Sequence, residues 1–138
     1  MALQWKDQLS VGNEVIDSDH KALIEIINET KRNIEDRKKK AVFNSLDSLQ
    51  QYLKRHSAAE EAIARALSYS DMTRLHERHQ ELIASLDKVV HELKDKLTPA
   101  SLEKFDAFVQ SWLITDVIQG NIPLKPLLAK HSPLYDPR

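Results

Sequence analysis

The strongest constraint on this chain is a set of apolar stripes that step by four and three residues in alternation and carry polar side chains at inward positions. From Val42, the positions Leu46, Leu49, Leu53, His56, Glu60, Ile63 and Leu67 trace one face of a helix. A second stripe runs Met72, Leu75, His79, Leu82, Leu86, Val90 and Leu93, and a third runs Leu102, Phe105, Val109, Trp112 and Asp116. A less regular first segment puts His20, Leu23, Ile27 and Ile34 on one face, with Ile24 and Ile26 beside it. Each of four helices thus offers at least one inward ligand-type side chain: His20, then His56 with Glu60, then His79, then Asp116. Buried imidazoles and carboxylates need partners, and a shared metal ion is the first partner to consider.

Composition narrows the choices. A chain of 138 residues is of single-domain size and can bury one core. Two glycines and five prolines, four of the prolines beyond residue 120, leave too little punctuation for the turns of a β fold. An all-α domain is expected. With 20 basic and 21 acidic residues interspersed, the net charge of -1 gives no electrostatic footprint for nucleic acid or an anionic membrane. The run Arg37, Lys38, Lys39, Lys40 reads as a solvated helix junction. Without cysteine there is no disulfide framework, thiolate site or cysteine nucleophile. A metal must then be held by imidazole and carboxylate, which suits iron, manganese or zinc. No apolar run approaches the roughly 20 residues of a membrane span, and no signal-peptide pattern is present, so a soluble cytoplasmic protein is expected. No glycine-rich loop or nucleophile motif supports hydrolytic catalysis, and a non-enzymatic role is the expectation.

The chain divides into an N-terminal arm over 1–17, four helices and an irregular tail over 121–138, all within one domain. Asp17 or Ser18 is a suitable N-cap for the first helix, which runs to about residue 36. The charged stretch 36–40 leads to the second, ending near 67. Ser70 or Asp71 caps the third, which ends near Leu97. Thr98 caps the fourth, with Pro99 at its first position and Glu103 near the capping-box position, and this helix should stop near Gly120. Short connections between long amphipathic helices imply an antiparallel, up-down-up-down four-helix bundle.

Several spaced motifs resemble those of bacterial hemerythrins. Trp5, Ser10-Val11-Gly12-Asn13, Ile16-Asp17-Ser18-Asp19-His20-Lys21, Leu23 and Asn28 resemble the opening of that family. Tyr52 with His56, Glu60 and Glu61 is similar to its second-helix motif, and Trp112-Leu113 to the start of its fourth-helix motif. The resemblance covers residues 3 to about 121. It implies a four-helix bundle around two non-haem irons, held by five histidines and two bridging carboxylates, that reversibly binds dioxygen.

Carried over position by position, the resemblance makes His20 and His56 terminal ligands, Glu60 a bridge and His79 the second of two third-helix histidines. Three positions depart from it. Leu75 stands where the first third-helix histidine would be, and Asp116 and Asn121 stand where the fourth helix would carry a histidine and, five residues on, a carboxylate. His76, three residues before His79, is a substitute ligand with a flanking surface position as the alternative, since one step along a helix turns a side chain by about 100°. Asp116 lies on the inward stripe and reads as a ligand or as the partner of a ligand histidine. Asn121 offers only a neutral carbonyl and reads as a supporting residue. His91 and His131 read as surface histidines.

Three functions fit these residues. The first is a hemerythrin-like non-haem iron protein that binds or senses dioxygen or a related small molecule, di-iron if the site is complete. The second is a bundle holding one metal ion through His20, His56, Glu60 and either His79 or Asp116, as a store or a redox enzyme, and the third a metal-free hemerythrin fold serving as an interaction or signalling module. A di-iron oxidase or peroxidase activity stays open. Leu124, Leu127, Leu128 and Tyr135 of the tail suit either folding back over the bundle end or contacting a protein partner or second copy.

Overall fold

The computed structural model describes residues 3–138, and every helix of the expected bundle is present. α1 spans Glu14–Glu35, α2 Lys39–Ala66, α3 Met72–Asp95 and α4 Pro99–Trp112. Sequential helices pack on one another, and the connections at 36–38, 67–71 and 96–98 are too short for anything but reversal. No strand occurs among the described residues. None of their helices is long and apolar enough to cross a membrane.

Local chemistry sets the helix ends, and two differ from expectation. α1 begins a turn earlier than Asp17, because Asn13 is the N-cap and its side chain accepts from the Ile16 amide at 3.1 Å. Asp17 is otherwise engaged: its carboxylate accepts from the Ser10 hydroxyl and from the Val11 amide, pinning the arm to the first turn. Asp71 is the N-cap residue of α3, as expected. At α4, Thr98 caps as expected, but Ser101 closes the capping box rather than Glu103. α1 and α2 both end with a left-handed residue, Arg37 and Ser68, and with six-to-one bonds from Lys38 to Asn33 and from Tyr69 to Ala64.

The fourth helix departs most. It ends at Asn121, beside the expected Gly120, but from Leu113 to Asn121 it runs as a π-helix and not as an α-helix. In an α-helix Asp116 and Asn121, five apart, would diverge by roughly 140°. The i to i+5 bonding of a π-helix brings such a pair onto one face. Both side chains are fully buried.

Beyond the π-helix the tail is more ordered than an irregular segment, with a 3-10 turn at Ile122–Leu124 and a short α5 at Lys125–Leu128. It folds back over the bundle end. Leu124 and Leu128 are buried with Val11, Ile16, Ile63 and Leu75. The Pro133 and Tyr135 carbonyls accept from the Glu14 amide and the Asn13 side chain, both at 2.8 Å. At the other side, the arm is strapped along α1 by paired bonds between the Leu3 backbone and the Asn28 side chain.

The core is therefore in two parts. The larger includes Leu23, Ile27, Leu46, Leu53, Leu82, Leu86, Phe105 and Trp112, and the smaller is the end cluster beneath the tail. On each helix the inward polar residue lies between them: His20 between Ile16 and Leu23, His56 and Glu60 between Leu53 and Ile63, His79 between Leu75 and Leu82, Asp116 between Trp112 and Leu124.

Candidate metal centre

The polar residues of the four helices form one layer across the bundle. His20, His56, Glu60, His79, Asp116 and Asn121 all have 1% or less of their surface exposed. One ligand atom from each of His20, His56, Glu60 and Asp116 lies within 4.8 Å of the others. His20 Nε2 is 3.8 Å from Glu60 Oε2 and 4.0 Å from Asp116 Oδ2. His56 Nε2 is 2.7 Å from Glu60 Oε2 and 4.0 Å from Asp116 Oδ2. The rings of His20 and His56 meet edge-on with centroids 4.7 Å apart.

Many of these atoms are close without being hydrogen-bonded. His56 Nε2, Glu60 Oε2 and Asp116 Oδ2 have no hydrogen bond of good geometry, although the first two are 2.7 Å apart. Buried polar atoms are rarely left so. Ligand atoms that crowd a common point with few well-formed hydrogen bonds among them have the arrangement a cation would satisfy.

His79 approaches from the other side. Its Nε2 is 3.2 Å from Glu60 Oε1 and 3.3 Å from Asp116 Oδ1, the oxygens turned away from His20 and His56. Asn121 contacts a histidine: its Nδ2 lies 2.9 Å from His20 Nε2 and donates to the lone pair that a bound ion would take. His76 is not brought to this layer: its side chain is 57% exposed and its Nδ1 meets Glu61 at 2.7 Å on the surface. The 100° step from Leu75, which is buried in the end cluster, carries it there. His91 and His131 are exposed, His131 stacking on Tyr135.

Two further carboxylates orient the histidines, and the stripes did not reveal them. Asp19 Oδ2 meets His56 Nδ1 at 3.0 Å while its other oxygen accepts from the Tyr52 hydroxyl. Glu61 Oε2 meets His79 Nδ1 at 2.8 Å. A carboxylate behind the imidazoles of His56 and His79 fixes each ring and turns its opposite nitrogen to the centre, the usual outer layer of a metal-histidine site. Each directly neighbours a stripe residue in sequence, Asp19 beside His20 and Glu61 beside Glu60. That adjacency was the available signal.

Charge follows from this packing. Burial would depress the His56 imidazole, but the charge of Glu60 and a hydrogen bond to Asp19 push it up to about 10. Burial opposes the charging of His79 likewise, and hydrogen bonds to Asp116 and Glu60 raise it to about 11. Burial would raise Glu60, yet the charge of His56 and the close approach of all three histidines hold it well below the ordinary carboxylate range. Without a cation, the layer therefore balances its carboxylates with protons on imidazole.

The full di-iron set does not fit. Leu75 is apolar and buried, Asn121 is neutral, and the donors left on the His79 side are already engaged with one another. A single ion does fit. Ligands at about 2.0–2.2 Å from one ion lie up to about 4.3 Å apart, close to the spread of the four clustered donors.

The family model for the Hemerythrin HHE cation binding domain matches residues 11–116. Proteins called bacteriohemerythrin, from Pseudomonas aeruginosa and Pseudomonas paraeruginosa, are 31% identical to this chain over 80 residues, which is 58% of the chain and 52% of each relative. The chain thus matches about half the length of these relatives. With the match running from the arm through all four helices to Asp116, the chain belongs to the hemerythrin HHE cation-binding family.

Proposed function

We propose that this protein is a hemerythrin-like, non-haem iron-binding protein that binds or senses dioxygen or a related small molecule, and that it serves as a binding protein rather than an enzyme. The observation that carries this reading is the buried convergence of His20, His56, Glu60 and Asp116, whose ligand atoms lie within 4.8 Å of one another. Those four residues would hold the ion, with His79 bordering it. When bound, ferrous iron supplies a redox-active centre able to coordinate dioxygen or nitric oxide. The chain's own contribution is to exclude water with apolar layers on both sides, and to orient His56 through Asp19. Two histidines and two carboxylates leave coordination positions free, the requirement for a small ligand to enter.

The test is anaerobic reconstitution with ferrous iron, followed by absorption and electron paramagnetic resonance spectra before and after nitric oxide or air. Bound iron with spectra that change on gas addition supports the proposal. Failure to retain iron, manganese or zinc would overturn it and leave the interaction-module reading.

Replacing Asp19 with asparagine should lower metal affinity about 10–100-fold, the usual effect of losing the carboxylate behind a ligand histidine. Competition against a chromophoric chelator measures it. An unchanged affinity would show that His56 does not depend on Asp19 for its orientation.

A further inference from the structure

Glu60 and Asp116 divide their oxygens between two sides of the layer. Oε2 and Oδ2 face His20 and His56, whereas Oε1 and Oδ1 face the Nε2 of His79 at 3.2 and 3.3 Å. A carboxylate that bridged two ions would send one oxygen to each. Here the second oxygen of both carboxylates converges on a single imidazole nitrogen instead.

Among the described residues, no further imidazole or carboxylate on that side is free to hold an ion. Leu75, one turn before His79, is 1% exposed and packs with Ile63 and Leu124 in the end cluster. His76 lies at the surface against Glu61. Asn121 turns its Nδ2 to His20 and has only a neutral carbonyl oxygen left to offer. His79 itself is clamped at both nitrogens, by Glu61 at Nδ1 and by the two carboxylates at Nε2. Ionised carboxylates only accept hydrogen bonds, so Nε2 takes the donor role toward them.

We propose that the centre holds one divalent cation, bound by His20, His56, Glu60 and Asp116, and that the N–H of His79 stands where a second ion would bridge the carboxylates. His79 is then a positioning residue: it fixes both carboxylate planes with Oε2 and Oδ2 turned to the ion. The cation is of the hard-to-borderline class, ferrous, manganous or zinc. The inference rests on the reading of the layer as a metal centre, and it specifies the stoichiometry and the ligands.

The experiment uses the full chain, loaded anaerobically with excess ferrous iron, desalted, and assayed for metal per chain by mass spectrometry. X-ray absorption on the same sample counts imidazole ligands. One ion with two imidazoles is the expected result. Two ions per chain, or three imidazoles on one ion, would overturn the inference while leaving the metal-centre reading intact. No retained iron, manganese or zinc would overturn both. In parallel, His79→Gln, which keeps an N–H donor, should still bind one ion with affinity reduced less than about tenfold, whereas His56→Ala should lose more than about 100-fold. Loss of the ion from a folded His79→Gln variant would make His79 a ligand and overturn the inference. The X-ray absorption count decides the matter from the unaltered chain should that variant fail to fold. Finally, the combined Leu75→His, Asp116→His and Asn121→Asp variant should rise from one ion to two.

Discussion

Converting Glu60 to glutamine is expected to weaken metal binding by at least about 100-fold and to destabilise the metal-free fold by about 3–5 kcal/mol, the scale for stripping one partner from a buried charge pair. The substitution keeps shape and volume and removes only the charge. Glu60 is the hub of the polar layer, with His56 Nε2 at 2.7 Å, His79 Nε2 at 3.2 Å and His20 Nε2 at 3.8 Å. It is fully buried, so no water replaces the lost carboxylate. Without it, the burial of His56 is no longer offset by the largest of its favourable contributions, and its imidazole falls from about 10 toward the range burial dictates. The loss is a large share of the roughly 5–15 kcal/mol that holds a domain of this size. Urea denaturation reads the stability and chelator competition the affinity. A variant as stable as the parent would show that Glu60 does not compensate the histidines, and one that bound metal within tenfold of it would place the ion away from Glu60.

The parts of this molecule that were legible in its sequence are those governed by helical periodicity. The stripes through Leu46, Leu49 and Leu53 or Leu82, Leu86 and Val90 located the core, and the polar positions on the same stripes located the buried layer. What escaped is what periodicity within one helix does not encode. The π-helix changes the repeat locally, so Asp116 and Asn121 share a face that an α-helical count denies them. Asp19 and Glu61 act across the interface between helices and lie off their own stripes. Asp17 was a sound cap by residue type, but its carboxylate is committed to the arm, and Asn13 caps in its place. The tail's direction was open because Leu124 and Leu128 would be apolar under either arrangement; burial against Ile16 and Leu75 decides it.

The second large effect is a divergence with pH between the metal-free and metal-loaded forms. In the metal-free chain His56 and His79 are raised from an ordinary 6.5 to about 10 and about 11. A raised histidine contributes stability that is complete below the unfolded value and is lost as pH rises through the folded one. From pH 6.5 upward the unfolded chain has released protons that the folded chain still holds, and stability declines by up to about 1.4 kcal/mol per pH unit for each such histidine. Glu60 acts with the opposite sign: its depressed value contributes stability above 4.5 that is lost as pH falls. The metal-free form is therefore most stable between these limits, on the acid side of neutrality. Metal binding requires the lone pair of His56, so loading expels its proton and stability above pH 6.5 no longer falls on that account. Because the loaded and free curves separate steadily, apparent metal affinity keeps climbing between about pH 6.5 and pH 8.5, where a histidine of ordinary pKa would already have levelled off. Thermal melts with and without zinc, together with titration calorimetry in buffers of different ionisation enthalpy, should show both the divergence and proton release on binding near pH 7.5. Metal-free stability that stays flat or rises over that interval would mean that His56 and His79 are neutral there. The carboxylates of the layer would then have to be balanced by their own protons, and the order in which protons and metal exchange at this centre would be reversed.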